Sequence, residues 1–540
     1  MTFPSKNKTD PHARESIHRS QNHPEEHLPK TKPDHMTKRK TTSLKKSGAL
    51  LATALLTSGF ISSIAGETVT KSTGPKPVAE KAPDANPLSF LNGLLTFDVQ
   101  ERLRLEVRNN NFDFNDALNS LTDDGWLLQR FRIGLMIKPT DWLKIYAQTQ
   151  DSREIDSDRP DFPGQLGAEG DDAFDLRQGY LEFGNAKEFP LTLKIGRQIL
   201  SYGDERLVGS FDWNNIGRTF DAAKLRWEEK KWWLDAFAST VVVPTRGKYN
   251  QSDFVNGTET HRSQVFSGLY FSTTALPFQT TDVYAFHLHE ETGPKYQPLA
   301  IGDTNFVTLG FRVKSKPGAF HHAPAPAPDG KAMADGKSAP PPPPAPKPLG
   351  LDYDGEYAFQ TGKVRGLDLT AFAVHTGLGY TFDLPWTPRL GVEYNFATGD
   401  SHPGDTDLET FQNLFPTNHK FYGFMDVFSW QNMHNPAVSL KVAPCKQIIA
   451  QVDYHGFWLA TNEDVWYRAN GTTAVRPLTP LARNADKFAG SELDFTVTYK
   501  PLKQLSFLAG YSHFFAGSYL KDTGAHDDAD FGYVQATIEF

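Results

Sequence analysis

Hydrophobic and polar side chains alternate along short segments between Leu95 and Phe540. In the segments 390–397 and 492–499, every second residue is apolar, and the residues between them are small or polar. Because successive side chains of a β-strand point to opposite faces, each segment predicts a strand with one apolar and one polar face. About 18 such segments follow one another, and no long helical pattern interrupts them.

The connections between these segments alternate in length. Short turns fall near 138–141, 228–231, 385–388, 443–446 and 500–503. Long polar loops fall near 109–125, 151–173, 244–262, 399–434 and 462–488. An antiparallel barrel with short turns at one rim and long loops at the other has this arrangement, and an even strand count leaves both termini at the short-turn rim.

A soluble β-sandwich would show the same alternation, but its apolar faces would pack against each other. Here the apolar faces carry aromatic residues near the strand ends, which is typical of the girdles of membrane barrels. The aromatic residues concerned are Trp126, Trp142, Trp232, Trp233, Tyr499 and Tyr511. The sequence therefore favours an all-β fold: a transmembrane antiparallel β-barrel of about 18 strands, of the outer-membrane type.

The N-terminal region carries a targeting signal. A basic stretch from Lys38 to Lys46 precedes a short apolar core that ends in small residues, and this order resembles a secretory signal cleaved after Ala65 or Gly66. The predicted organisation is a disordered or untranslated extension at 1–35, a signal peptide at 36–66, a periplasmic linker at 67–87 and the barrel at 88–540.

The last predicted strand ends on Phe540, with Val534, Ala536 and Ile538 in the same register. This ending resembles the signal that outer-membrane assembly machinery reads. We therefore expect a monomer in the bacterial outer membrane, with the membrane lipid and the barrel-assembly machinery as partners.

Composition excludes several classes of protein. A formal net charge of -8 argues against nucleic acid as a partner, because nucleic acid favours a strongly basic face. A bundle of transmembrane helices is excluded, since each helix needs about 20 consecutive apolar residues. Cys445 is the only cysteine, so the chain forms no intramolecular disulfide.

If the apolar side of each strand faces lipid, the polar side lines the lumen. The first half of the wall is then basic, and acidic positions such as Glu393 and Asp453 belong mainly to the second half. The inward cations named by this pattern include Arg102, Arg104, Arg130, Arg132, Lys224, Arg226 and Arg312. Glu101 falls on the lipid side, against the pattern.

Buried lone cations are costly, so these side chains must be paired, solvated or in contact with an anion. One hypothesis is a ladder of structural ion pairs that braces the barrel wall. The other is a basic stripe that binds a passing anion, since the planar fork of arginine suits carboxylates.

The run GRQILSYGDERLVGSFDWNNIGRTFDA at 196–222 resembles the alginate-export family of outer-membrane proteins, and the segments 419–432 and 446–460 resemble later parts of that family. The resemblance implies an 18-stranded barrel that carries a polyuronate through an electropositive constriction. It places these residues near the outer half of the lumen: Arg197, Asp204, Glu205, Arg206, Trp213, Asn214, Arg218 and Asp221. Arg197 has the wrong parity for the lumen unless the strand contains a bulge.

Two segments suggest further partners. The Pro/Ala-rich insert at 321–348 departs from the family and falls in a periplasmic turn, where it is a disordered spacer or a recruiter of a periplasmic protein. The acidic loop at 151–172 has the oxygen-rich chemistry that Ca²⁺ prefers, although its spacing matches no EF-hand. The main expectation is that the protein carries no cofactor.

Catalytic signatures are missing from the sequence. It contains no G-x-S-x-G, no H-E-x-x-H and no phosphate-binding glycine loop, and the neighbours Ser512 and His513 point to opposite faces of a strand. The sequence therefore indicates a channel for an acidic polysaccharide rather than an enzyme that degrades one. Export of a polymer and passive uptake of acidic oligosaccharides both fit the same wall.

Overall fold

The computed structural model describes eight parts of the chain. They are residues 88–117, 123–157, 171–244, 249–252, 263–291, 303–316, 349–472 and 474–540. The predicted extension, signal peptide and linker, together with the insert at 321–348, lie outside the described residues. These assignments therefore stay predictions.

Eighteen strands form one antiparallel sheet, which closes because the first strand pairs with the last as well as with the second. The strands are β1 Leu95–Asn109, β2 Asp124–Thr140, β3 Leu143–Ile155, β4 Asp172–Phe183, β5 Leu191–Gln198, β6 Phe220–Glu228, β7 Trp232–Val243, β8 Ser263–Thr273, β9 Gln279–Glu291, β10 Thr304–Ser315, β11 Gly350–Val364, β12 Leu367–Thr381, β13 Arg389–Ala397, β14 Met433–Cys445, β15 Ile448–Leu459, β16 Phe488–Tyr499, β17 Leu505–Ala516 and β18 Ala529–Glu539. The predicted 18-stranded barrel is confirmed.

Smaller elements accompany the barrel. Two-residue strands occur at Ser89–Phe90, Gln251–Ser252 and Asp407–Leu408. The helical segments are Leu91–Gly93, Asn418–Lys420, Pro480–Arg483 and Ser518–Thr523. None of the helices in the described ranges is long and apolar enough to cross a membrane.

The two rims differ as the sequence indicates. Both the start of β1 and the end of β18 lie at the short-turn rim, where Lys316 and Leu349 flank the insert. The opposite rim carries the long connections. One connection at that rim is short, because only Arg365 and Gly366 separate β11 from β12. These two residues join β11 to β12 with φ angles of 52° and 87°, which is the left-handed conformation that a tight hairpin requires.

Alternation along the strands separates an apolar outer face from a polar inner face. Leu269 and Val283 are each 52% exposed on the outside, whereas their inward neighbours are buried. Glu101 does lie on the outer face, where it accepts a hydrogen bond of 2.9 Å from Gln129 Nε2. This hydrogen bond satisfies part of the hydrogen-bonding capacity of a polar side chain that departs from the alternating pattern.

The predicted aromatic girdle is right for some positions and wrong for others. Tyr499 and Tyr511 are 43% and 51% exposed on the outer face, and Trp142 is 53% exposed in the turn between β2 and β3. Trp126, at 1% exposed, faces the lumen instead, opposite the inward Glu106. Trp233 also faces inward and packs on Tyr202 with ring centroids 6.5 Å apart. The aromatic residue type alone does not reveal the face, because neighbouring positions point in opposite directions.

Two long connections fold into the lumen, and we call them the first inner loop (199–219) and the second inner loop (398–432). Their backbones pair in parallel: Gly209 N–H donates to Phe415 O at 2.8 Å, and Phe415 N–H donates to Leu207 O at 2.8 Å. Their apolar side chains join one core inside the barrel with Phe112, Phe114 and Trp466 from other connections. The core of this protein is therefore a plug inside the barrel wall.

The closed barrel predicts heat-modifiable migration. Because all its strands are hydrogen-bonded in one cylinder, the folded protein in detergent resists unfolding until it is heated. Unheated and heated samples should therefore run differently on gels, and circular dichroism should be rich in β-structure. A detergent-independent soluble monomer would contradict the membrane barrel.

Deletion of 323–347 should leave barrel folding and single-channel conductance nearly unchanged. The insert joins β10 to β11 at the short-turn rim, and both strands pair fully with their other neighbours. The sequence predicts a disordered insert, and a segment of this kind contributes little to stability. The check is heat-modifiability and conductance of the deletion variant, and loss of assembly would show that the insert is part of the wall.

Candidate anion-binding site in the lumen

The basic half of the wall is built by arginines on the inner faces of β1, β2 and β4. Strand alternation directs Arg102 and Arg104 inward from β1, and Arg130 and Arg132 inward from β2. Arg177 on β4 joins them, although sequence reasoning missed it because register shifts in the β3–β4 pairing obscure the alternation. All five side chains are buried, with exposures between 0% and 6%.

The first inner loop covers these arginines with its backbone carbonyls. Asp212 O accepts from Arg102 Nη1 at 2.8 Å and from Arg130 Nη1 at 2.9 Å. Trp213 O accepts from Arg104 Nη1 at 2.7 Å, and Ile216 O accepts from Arg177 Nη1 at 2.7 Å. The arginines thus hold the loop against the wall.

The carboxylate of Asp212 lies among the same guanidinium groups. Its Oδ1 is 2.7 Å from Arg132 Nη1 and 3.5 Å from Arg177 Nη2, and its Oδ2 is 3.0 Å from Arg130 Nη2. We call Arg102, Arg130, Arg132 and Arg177 the arginine cage. Burial alone would raise the pKa of Asp212, but the cage lowers that pKa well below its usual range. Asp212 is therefore a carboxylate anion in this site.

Positive charge exceeds negative charge in the cage. Among the described residues, Asp212 is the sole carboxylate within ion-pair distance of the four guanidinium groups. Buried guanidinium nitrogens without a protein hydrogen-bond partner are Arg102 Nε, Arg130 Nε, Arg132 Nη2, Arg177 Nε and Arg177 Nη2. In the described part of the chain, the cage therefore has more N–H donors than protein acceptors.

Local features of the motif fix the conformation of the loop. Asn214 Oδ1 accepts from the N–H groups of Ile216 and Gly217 at 2.9 and 3.0 Å, which closes a tight turn. Gly217 has φ of 76°, a conformation that other residues adopt at a cost. Asn215 is fully buried, and its Nδ2 donates to Gln129 O and Arg153 O on the wall.

Arg206 carries the loop to the opposite side of the lumen. Its Nη2 lies 2.9 Å from His375 Nε2 on β12, and its guanidinium stacks 4.0 Å from the Phe421 ring centroid. Arg218 joins the two inner loops instead, because its Nη1 donates to Pro416 O at 2.9 Å. Burial lowers the pKa of Arg218 to about 10. Arg206 thus connects the plug to the wall, and Arg218 connects the two inner loops.

Trp213 and Asn214, which the motif placed beside these arginines, lie in the same turn. The Trp213 ring stacks on His419 of the second inner loop at 3.8 Å between centroids, and Arg104 lies 3.8 Å above its other face. The tryptophan therefore connects the basic wall to the second inner loop.

Asp204 and Glu205 bind different partners. Asp204 Oδ2 is 2.8 Å from Arg312 Nη2, and Lys314 also approaches it at 2.8 Å; burial would raise the pKa of Asp204, but these cations lower it. Glu205 accepts hydrogen bonds from Ser201 Oγ at 2.6 Å and Thr417 Oγ1 at 2.7 Å. Neither carboxylate reaches the arginine cage.

Arg197 and Asp221 do not line the lumen as expected. They lie opposite each other in the regular β5–β6 pairing, on the face shared with the exposed Ile195, and form an outward ion pair of 2.9 Å. The bulge that would turn Arg197 inward is not present in this pairing. Strand parity therefore overrules the position that the motif implied.

A second group of cations faces the lumen near the short-turn rim. Lys224 and Arg226 share Asp235 at 3.5 and 2.6 Å, and Lys194 and Lys144 share Glu182 at 3.2 and 2.6 Å. We call Lys144, Lys194, Lys224 and Arg226 the vestibule cations. They line a cavity of about 490 Å³.

Another part of the wall is acidic. Glu393 on β13 and Asp453 on β15 line a second cavity of about 180 Å³, together with Asp354 and His455. Glu492 is fully buried and accepts the N–H of Met425 at 2.9 Å, which docks the second inner loop on this wall. The lumen thus has a basic side and an acidic side.

The calcium hypothesis is not resolved by these contacts. Most of the loop at 151–172 falls on residues 158–170, outside the described part of the chain. Within the described ranges, no group of three or more His, Cys, Asp or Glu side chains has a metal-binding arrangement. Calcium in this loop stays a prediction.

Ser512 and His513 point apart. Ser512 is 1% exposed on the inner face, whereas His513 pairs with Asp530 at 2.8 Å on the outer face, beside the exposed Tyr511. This arrangement provides no serine–histidine pair for nucleophilic catalysis.

Solved structures with the same architecture are outer-membrane proteins of Pseudomonas aeruginosa. OpdK, in a crystal structure with vanillate, is 11% identical, with a TM-score of 0.52, over 83% of this chain and 98% of that chain. OccK3 (OpdO) is 11% identical, with a TM-score of 0.50, over 83% of this chain and 95% of that chain. These likenesses show a common fold.

A search of curated proteins finds no match to the chain. The sequence profile of the family described as alginate export matches residues 94–534, which covers nearly the whole barrel. With the closed 18-stranded architecture, this places the protein in the bacterial outer membrane as a channel. The chain belongs to the alginate export family of outer-membrane β-barrel proteins.

Proposed function

We propose that this channel conducts an anionic polysaccharide or oligosaccharide, an alginate-like polyuronate, past the arginine cage. The observation that carries the proposal is the excess of four guanidinium groups over one carboxylate in the cage. Each uronate unit carries one carboxylate, and arginine donates two parallel N–H bonds to such a group.

The surroundings of the cage strengthen its attraction for anions. The arginines are 1% to 6% exposed, so little water screens them. Asp212 is half exposed, which supports an approach to the cage from the side of this carboxylate. A ligand that passes along the lumen reaches the guanidinium groups from that side.

The vestibule cations extend the basic surface toward the short-turn rim. Lys144 and Lys194 outnumber their shared Glu182, and Lys224 and Arg226 outnumber their shared Asp235. A chain of carboxylates can exchange between weak sites of this kind, because conduction requires binding that is favourable but reversible. Export through the barrel would begin at this vestibule.

Passive uptake of small acidic oligosaccharides is a second candidate. The two inner loops pack across the lumen toward the long-loop rim, an arrangement that favours small ligands over a polymer. The candidates differ in the size of ligand that blocks the channel. A long polyuronate blocks an exporter for extended periods, whereas an uptake porin responds to monomers and short oligomers.

The contacts of the carboxylates near the motif do not support a catalytic role. The carboxylates near the motif are held by cations or hydroxyl groups, as Asp204 is by Arg312 and Glu205 is by Thr417. A barrel-embedded enzyme that degrades polysaccharide is therefore less well supported than a channel.

Replacing Arg132 and Arg177 with glutamine should weaken block by polyuronate and reduce anion preference. The substitutions remove two of four cage charges, while Arg102 and Arg130 still hold the Asp212 carbonyl. We expect polymer dwell times to fall about tenfold, a change of about 1.4 kcal/mol. The measurements are single-channel block and reversal potential across a salt gradient.

The matched control is Arg197→Gln, which removes an arginine of the same motif from the outer face. It should leave selectivity and block unchanged. If the cage double variant assembles normally and keeps native selectivity and block, the cage arginines are braces and the conduit proposal is wrong.

Arg218→Ala should loosen the plug. This change removes the guanidinium that binds Pro416 O and Gly209 O between the two inner loops, while the barrel pairing stays intact. Conductance should rise and fluctuate more, and heat-modifiability should persist. Unchanged current traces would show that the backbone pairing alone holds the loops together.

A further inference from the structure

Asp212 touches the cage through two separate groups. Its backbone carbonyl accepts from Arg102 and Arg130, whereas its carboxylate contacts Arg130, Arg132 and Arg177. Rotation about the side-chain bonds moves the carboxylate without breaking the carbonyl contacts. The loop can therefore remain docked when the carboxylate leaves the cage.

The exposed fractions of the Asp212 and arginine side chains also indicate that the carboxylate can leave the cage. The Asp212 side chain is 49% exposed, while the side chains of Arg130, Arg132 and Arg177 are 1%, 7% and 4% exposed. The anion thus lies between the buried cations and the lumen, at the point where a carboxylate of a passing ligand would arrive.

We propose that Asp212 is a tethered competitor for the ligand: its carboxylate occupies the arginine cage between passages, and a uronate carboxylate displaces it. This inference rests on the proposed function and adds to it the resting occupant of the site. In this exchange one carboxylate replaces another on the same N–H donors, and no covalent bond forms or breaks.

The exchange has a physical advantage both in the absence and in the presence of a ligand. Without a ligand, Asp212 supplies a counter-charge to guanidinium groups that would be costly to leave buried and unpaired. With a ligand, the returning Asp212 competes for the same donors and shortens its stay. A conduit needs such weak binding, because a ligand that stays bound blocks it.

The test is Asp212→Asn, studied in the full-length protein. Asparagine keeps the size of the side chain and leaves the backbone carbonyl contacts in place, but it removes the competing charge. In salt alone, the reversal potential should shift toward greater anion preference. With a polyuronate added, each block should last about tenfold longer, because one competing charge at short range is worth at least that factor.

The matched control is Asp221→Asn, which removes the same charge from the outer face, where Asp221 pairs with Arg197. Asp212→Glu, which keeps the competing charge, should give shorter blocks than Asp212→Asn. If Asp212→Asn assembles but leaves reversal potential and block duration unchanged, the competitor role is wrong. Shorter blocks would also overturn it, because they would mean that Asp212 only shapes the loop.

A second comparison covers a failure of Asp212→Asn to assemble. The double variant Asp212→Asn with Arg177→Gln restores the native net charge of the cage and should block longer than Arg177→Gln alone. Equal durations would overturn the inference. Absence of polyuronate block in the native protein would contradict the proposed function, whereas a native block that is insensitive to residue 212 contradicts only the competitor role.

Discussion

The arrangement of this protein depends on the cost of burying guanidinium groups inside a barrel. Arg102, Arg104 and Arg130 project from the wall and are almost fully covered, so each needs acceptors that bulk water no longer supplies. The first inner loop supplies them as carbonyls of residues 212 and 213. The position of the loop follows from this requirement, and the second inner loop follows from its backbone pairing with the first.

The same interaction separates the two roles that arginines have in this lumen. Arg206 binds His375 of the wall, Arg218 binds Pro416 of the plug, and Arg312 is matched by Asp204 and Asp282. The cage differs because its charge is not balanced by carboxylates within the described residues. Bracing and anion binding are therefore compatible: the carbonyls brace the loop, and the surplus charge remains for a ligand.

The barrel is asymmetric in two directions. Along its axis, the short turns, the start of β1 and the end of β18 lie at one rim, and the inner loops enter from the other. Around the lumen, the cage arginines lie on β1, β2 and β4, whereas Glu393, Asp453 and Glu492 lie on β13, β15 and β16. A carboxylate ligand would be attracted to the first group and repelled by the second, which supports the proposed path along the basic wall. Membership of the alginate export family agrees with such a path.

The sequence alone determined the structural features that depend only on residues close together in the chain. Alternation is a local property of extended chain, so the residues predicted the strands, the two rims, the inward direction of Arg102 and Arg130, and the separation of Ser512 from His513. The alternation did not identify Asp212 or Arg177. Asp212 lies in a turn without periodicity, and Arg177 lies where the pairing of β3 with β4 is irregular.

The motif also suggested lumen positions for Arg197 and Asp221, which regular pairing of β5 and β6 places outside. Only the tertiary structure decided that the cage arginines are covered and that Asp212 is their counter-charge. These contacts join residues about 80 to 110 positions apart, as between Asp212 and Arg130 or Arg102. No local pattern records such a contact, since it forms only when barrel closure brings the loop against the wall.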